Sequence, residues 1–351
     1  MVGEEMKTVR ERRGWAQQDL ASWLNEQLGR RYDRQKISRW ESGAERIPKQ
    51  VSDLLAEGQS GVFAKAVEQE SAVSDAGTAA HGPALVVAIA NQKGGVAKTA
   101  TAVNLAHLLD TMSMRVLVID ADPQASATIH LGLSPRDMMH AGRTLASVFS
   151  ADRPLLDCVQ PITTSGVMLI PSSLDLAKTE TDLLSEPLAA LALRERLVEA
   201  RAQFDVILID CPPNLGMMAT NAFGAADAIL VPCQTELLAI EGIDYLLETV
   251  TKIRRRGNPI LEILGILPTL YSARNSQDRA SLADIHERFS DRLPIFPPVP
   301  RATVYAQAVA AGRPAVEADP RAPGADVYRE LAKSIIAARQ AHLEAVNGKA
   351  A

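Results

Sequence analysis

Six short apolar runs organise most of this chain: "ALVVAIA" (84–90), "RVLVID" (115–120), "VMLIP" (167–171), "DVILID" (205–210), "DAILVP" (227–232) and "EILGILP" (262–268). Each is rich in β-branched residues and nearly continuous, which suits strands buried on both faces. Helix-length stretches separate the runs. In the stretch 98–109, Ala102, Leu105, Ala106 and Leu109 fall on one helical face. Such alternation leaves few folds open. The expectation is an α/β fold: a mostly parallel sheet, joined by right-handed crossovers, with helices on both faces. A ligand site in such a sheet belongs beyond the carboxyl ends of the strands.

The rest of the chain differs in kind. Its 351 residues predict about two domains. Residues 1–50 carry 11 Lys and Arg against 8 Asp and Glu, while the whole chain has a net charge of −5, so the remainder is strongly acidic. All three tryptophans, Trp15, Trp23 and Trp40, lie in that basic segment. Residues 58–83 are rich in Gly, Ala and Ser and read as a flexible linker. The predicted organisation is a small helical domain over 1–57, a linker over 58–83, the sheet domain over 84–342 and a tail over 343–351. No apolar run approaches the roughly 18 residues of a membrane span, and the charged start "MVGEEMKTVRERRG" lacks the apolar core of a secretory signal. Cys158, Cys211 and Cys233 have no metal-ligand spacing, so a reducing cytosol is expected. The six histidines are scattered and read as surface or packing residues.

The first strand runs into "NQKGGVAKT" and then a helix. That context suits a phosphate-binding loop, in which loop amides and a helix N-terminus face the phosphates. Lys98 would reach the β- and γ-phosphates and the Thr99 hydroxyl would bind Mg²⁺. The strict pattern G-x-x-x-x-G-K-[ST] fails twice, because Gln92 and Ala97 stand in its glycine positions. If the backbone at Ala97 needs positive φ, its methyl costs about 1 kcal/mol. A G-x-G-x-x-G after the first strand is absent, which disfavours a dinucleotide-binding fold.

"KGGVAKT" resembles the deviant Walker A motif, KGG-x-GK-[ST], of the ParA/MinD family of ATPases. "VIDADPQ" resembles the family's D-x-D-P-Q element, and "DCPPNLG" its Walker B and switch region. The resemblance continues through "VPCQTELLAIEG" and "LGILPTLYSAR" and covers roughly residues 84–340. It implies a P-loop NTPase-like fold and Mg²⁺-dependent hydrolysis of ATP by a homodimer. Residues Lys93, Gly94, Gly95, Val96, Ala97, Lys98, Thr99 and Ala100 would hold the nucleotide. Lys93 would be the signature lysine that reaches the partner subunit's ATP, acting like an arginine finger. Asp122 would orient or deprotonate the attacking water. Asp120 and Asp210 would serve Mg²⁺ through water, and Gly216 and its neighbours would sense the γ-phosphate. Two departures, Ala97 and Ala100 (where a second hydroxyl is usual), predict modest affinity or slow turnover.

The N-terminal segment "RERRGWAQQDLASWLNEQLGRRYDRQKISRWESG" resembles a Cro/repressor-type helix-turn-helix. Leu20, Leu24 and Leu28 repeat at helical spacing, and Asp33 can cap a helix starting at Arg34. Ile37 and Trp40 would face inward, leaving Arg34, Gln35, Lys36 and Arg39 for base edges. The connection "NEQLGRRYD" is about six residues longer than the usual turn. The family also implies a second, non-specific DNA surface. Candidates are Arg254 and Arg255, with Arg256, at a helix C-terminus, plus Arg274 and Arg301, although Ser272 and Val304 depart from the family pattern there. A cationic helix end also simply complements the helix dipole. The expected partners are operator DNA, non-specific DNA and a ParB-like protein, with no membrane, in a cytoplasmic, nucleoid-associated setting. Two rivals remain: a repressor in which the ATPase fold is a nucleotide-sensing dimerisation module that needs neither turnover nor a stimulating partner, and a positioning ATPase that uses the same cycle for a protein cargo. A MinD-like membrane ATPase is disfavoured, because the end "SIIAARQAHLEAVNGKAA" lacks a basic-apolar face.

Overall fold

A computed structural model describes residues 6, 7, 10, 16–28, 30, 32–45, 47–51, 82–186, 188–236 and 239–350. They form two compact units, one within Met1–Ala72 and one within Val73–Ala351. The expected linker lies outside the described residues except for Gly82 and Pro83.

In the smaller unit, α1 (Gln17–Leu28) packs on α2 (Arg34–Glu41) around Leu20, Ala21, Leu24, Ile37 and Trp40. The side chain of Leu28 lies outside the described residues. Asp33 caps α2 by accepting the Lys36 amide at 2.8 Å. The long connection expected from the sequence is shorter in the structure, because Asn25–Leu28 are still helical and only residues 29–33 lie between the helices. Asn25 fastens that connection from within α1: its side chain bonds both the N–H and the C=O of Tyr32. Tyr32 then packs edge-on against Trp40, with ring centroids 5.0 Å apart.

In the larger unit, seven strands form one sheet in the order β3-β4-β2-β5-β1-β6-β7. They are β1 (Leu85–Ile89), β2 (Val116–Asp120), β3 (Gln160–Pro161), β4 (Met168–Ile170), β5 (Val206–Asp210), β6 (Ala228–Gln234) and β7 (Glu262–Thr269). All pairings are parallel except β3 with β4. β3 is the strand that the sequence did not reveal, since two residues containing a proline carry no period.

The continuous apolar runs have the cause expected of them. In β1, Val86 and Ala88 enter one core layer, while Leu85, Val87 and Ile89 enter the other. Gly265 marks a register shift between β6 and β7. Its φ is +153°, and a Cβ there would lie 2.8 Å from the Pro294 carbonyl oxygen, so only glycine fits.

The helices used below are α3 (Lys98–Thr111), α4 (Ser126–His130), α5 (Leu176–Leu183), α6 (Met217–Ala225), α7 (Ala239–Arg256) and α8 (Ala325–Ala350). α3 is not the one-faced helix of the sequence reading. Val103, Asn104 and Leu108 are buried as well as the four expected residues, because α8 and the short helix Ala315–Ala318 also pack on α3, the Val316 amide donating to the Asn104 side chain at 3.0 Å. α8 also runs on through the stretch read as a tail.

Candidate nucleotide site

β1 lies between β5 and β6, yet the chain leaves it for β2 on the far side of β5. The crossovers therefore diverge around β1, and the crevice beyond its carboxyl end is where this architecture binds ligands. The loop that follows β1 is tied at both ends. Asn91 donates to the Pro232 carbonyl at 2.7 Å and accepts the Lys93 amide at 3.0 Å. Thr269 donates to the Val96 carbonyl at 3.1 Å. The loop is thus strung between the ends of β6 and β7. Ala97 adopts φ 63°, ψ 31°, the left-handed conformation. α3 begins at the next residue, and Lys98 Nζ folds back to the Lys93 carbonyl at 3.0 Å.

Two carboxylates face this loop. Asp120 and Asp210 are register partners at the ends of β2 and β5, and both are fully buried. The Thr99 hydroxyl donates to Asp210 Oδ2 at 2.7 Å. Asp210 Oδ1 is buried with no partner among the described residues. Asp120 is more fully engaged. Its Oδ2 accepts the Thr128 amide and hydroxyl at 2.8 and 2.7 Å, and its Oδ1 accepts the Asp122 amide at 3.2 Å. It therefore caps α4 from a strand end while standing beside Asp210. Asp122, half-buried, accepts the Gln124 amide at 2.9 Å.

Burial sets the electrostatics. Desolvation pushes the Asp210 pKa well above the ordinary carboxylate value, and the neighbouring Asp120 charge pushes it further. Asp120 is raised for the same first reason, against the pull of its Thr128 bonds. Lys98 is lowered by burial, with the Asp210 charge pulling the other way. Two adjacent buried carboxylates resist double ionisation unless positive charge sits between them and the loop. A divalent cation meets that requirement. The donor set suits a hard ion: a threonine hydroxyl and an aspartate oxygen without a partner among the described residues. Among the described residues no three His, Cys, Asp or Glu side chains could cage a metal by themselves, so such an ion would draw its other ligands from water and phosphate.

Lys93 stands apart from Lys98. Its ammonium is ion-paired with Glu236, just beyond β6, and both side chains are nearly half exposed. The lysine expected to act on a partner subunit is thus held within its own chain here.

The structure divides the residues expected to contact DNA. Arg254, Arg255 and Arg256 end α7, before β7 begins, and so lie at the amino end of the sheet. Arg274 and Arg301 follow its carboxyl end, where the Arg301 amide donates to the Tyr271 carbonyl at 3.0 Å. A single patch containing all five is excluded by the length of β7. In the smaller unit, Arg34, Gln35 and Arg39 are exposed. Lys36 is partly exposed, pairs with Glu45 and lies 5.8 Å from the Trp40 ring centroid.

Sequence reading missed Asn91, Thr128, Glu236 and Thr269. Each acts through a neighbour distant in sequence, and none falls in a pattern that spacing alone would single out.

A sequence-family profile described as an AAA domain matches residues 84–263. The chromosome partitioning protein ParA of Caulobacter vibrioides is 36% identical over 256 residues, covering 72% of this chain and 94% of the relative. The chromosome-partitioning ATPase Soj of Thermus thermophilus is 37% identical over 251 residues, covering 72% and 95%. A solved structure, described as cobyrinic acid a,c-diamide synthase from Mycobacterium smegmatis with bound ATP analog and magnesium, superposes with a TM-score of 0.63 at 35% identity, covering 72% of this chain and 94% of that one. Three ordered motifs on three strand ends, a loop strung between strand ends and this depth of likeness lead to one conclusion: the chain belongs to the ParA/Soj family of chromosome-partitioning ATPases.

Proposed function

We propose that this chain uses an ATP cycle to partition DNA. ATP occupies the loop 93–100, with Lys98 at the β- and γ-phosphates and Thr99, Asp210 and Asp120 around Mg²⁺. An Mg²⁺ ion held there would supply positive charge to the phosphate oxygens. Asp122, on the solvent side of Asp120, orients the attacking water. Lys93 leaves Glu236 for the nucleotide of a second copy, so that ATP closes a homodimer. That dimer binds DNA without sequence preference, and a ParB-like partner stimulates hydrolysis and release. The observation that carries this reading is the buried Asp210 oxygen without a protein partner, set beside the Thr99 hydroxyl at the mouth of the loop.

The N-terminal unit binds an operator through Arg34, Gln35 and Arg39, making the protein its own repressor. The capped, basic-faced α2 equally supports a repressor that senses nucleotide and moves no cargo. Turnover separates the two. ATP hydrolysis is measured with and without DNA and a ParB-like partner, for wild type, Lys93→Ala and Lys98→Ala. The partition reading expects stimulation of wild type, loss of nucleotide binding in Lys98→Ala, and retained binding without stimulation in Lys93→Ala. Wild-type turnover that neither DNA nor partner changes would favour the repressor. Equal stimulation of Lys93→Ala and wild type would remove that lysine's role.

A further inference from the structure

Glu180, on α5, is a half-buried carboxylate that takes no part in the nucleotide site described above. Its Oε1 accepts the backbone N–H of Met218, the second residue of α6, at 3.1 Å. α6 lacks a cap of its own, because Gly216 stands at its N-cap and offers no side chain. A carboxylate from another helix thus does what Ser or Asp at the N-cap would do, and it places negative charge at the positive helix end. The approach is tight. A Cβ on Gly216 would lie 2.6 Å from Glu180 Oε1. Gly216 has φ −77°, which any residue can adopt. A methyl there would not strain the backbone; it would push the Glu180 carboxylate off the cap.

The cap closes one end of the loop 211–216, which joins β5 to α6. At the other end, Asp210 accepts the Thr99 hydroxyl and the Cys211 amide donates to the Ile89 carbonyl at 3.2 Å. In the middle, Pro213 lies against the phosphate-binding loop, 3.7 Å from where a Cβ on Gly94 would be. The segment leading into α5 is anchored to the same site. The Ser172 amide donates to Thr128 Oγ1 at 2.9 Å, and that hydroxyl donates to Asp120. A circuit of contacts therefore runs from Asp120 through Thr128 and α5 to Glu180, then through α6 and the loop back to Gly94 and Asp210.

We propose that Glu180 is a positioning residue for ATP hydrolysis. By capping α6 from outside, it clamps the loop 211–216 against the phosphate-binding loop. The inference rests on the ATPase activity of the family and not on the partition reading. The test uses the full chain as wild type, Glu180→Ala, Glu180→Gln, Gly216→Ala and the Glu180→Ala/Gly216→Ala double variant. Basal Mg–ATP turnover, ADP affinity and hydrogen exchange over residues 211–218 are measured well below the unfolding midpoint.

In Glu180→Ala, kcat should fall about tenfold, with ADP affinity within about twofold of wild type. Glu180→Gln, whose amide oxygen can still accept from Met218, should recover most of that loss. Gly216→Ala should match Glu180→Ala, and the double variant should be no slower than either, since the smaller side chain makes room for the new methyl. Exchange at 211–218 should rise in the slow variants, a readout that does not depend on turnover and separates failure of the clamp from failure of the ATPase reading. Unchanged kcat and exchange in Glu180→Ala would overturn the proposal. So would equal losses in the Ala and Gln variants, or losses that multiply in the double variant.

Discussion

Ala97 shows how much one methyl group can be asked to tolerate. It sits at φ 63° immediately before α3, where the family motif has glycine. The strain is accepted because both ends of the loop are fixed from outside, by Asn91 on Pro232 and by Thr269 on Val96. Strain held in this way persists at functional sites when the surroundings over-determine the backbone. Ala97→Gly should therefore stabilise the larger unit by about 1 kcal/mol, despite the greater freedom of glycine in the unfolded chain. Thermal unfolding without nucleotide checks this; an unchanged or lower midpoint would show that the loop relaxes the strain by other means. The sequence exposed this residue because it breaks a pattern. It could not expose Glu180 or Glu236, whose partners lie 38 and 143 positions away.

At the scale of elements, the two ends of the sheet do different work. The carboxyl ends of β1, β2 and β5 gather groups that burial destabilises. The amino ends hold buried ion pairs. Asp227, just before β6, accepts both terminal nitrogens of Arg201 at 2.9 and 3.2 Å and the Val86 amide at 2.8 Å. Arg201 also donates to the carbonyls of Ala84 and Ala225. This cluster pins the starts of β1 and β6 to the helix Val198–Gln203. Removing the carboxylate would leave the buried Arg201 charge without its counter-ion and the Val86 amide without its acceptor. Asp227→Ala should cost about 3 kcal/mol or more, while nucleotide affinity measured below the midpoint stays near wild type. Denaturant unfolding paired with ADP titration reads both, and a large loss of affinity in the folded variant would show that the two ends are coupled. On this scale the sequence was largely legible. Continuous β-branched runs predicted doubly buried strands and a parallel sheet, and the sheet is parallel apart from β3. β3 was hidden because two residues are too few to carry a periodic signal.

For the whole molecule, the proposed partition role raises the question of which surface would meet DNA. The arginines grouped by sequence resemblance are split by the fold, with Arg254, Arg255 and Arg256 at one end of the sheet and Arg274 and Arg301 at the other. Only the second group shares the carboxyl end with the nucleotide site, so if the chain partitions DNA only that group is placed to couple DNA binding to ATP. Arg274→Ala with Arg301→Ala should lower the salt slope of ATP-dependent DNA binding by about 2, roughly one per lost phosphate contact. Arg255→Ala with Arg256→Ala should leave that slope unchanged. Binding measured across a salt series decides it, and the opposite ranking would move the surface to the amino end. Among the described residues no helix is long and apolar enough to cross a membrane. The sequence by itself determined the parallel strands and the loop that follows β1, and singled out Lys98, Thr99, Asp120 and Asp210 as candidates, because buried strands and phosphate-binding loops leave short-range patterns. Only the tertiary structure decided how those groups are held. The pairing of Lys93 with Glu236, the cap that Glu180 lends to α6 and the partition of the arginines all depend on contacts between distant segments, and local periodicity carries no record of them.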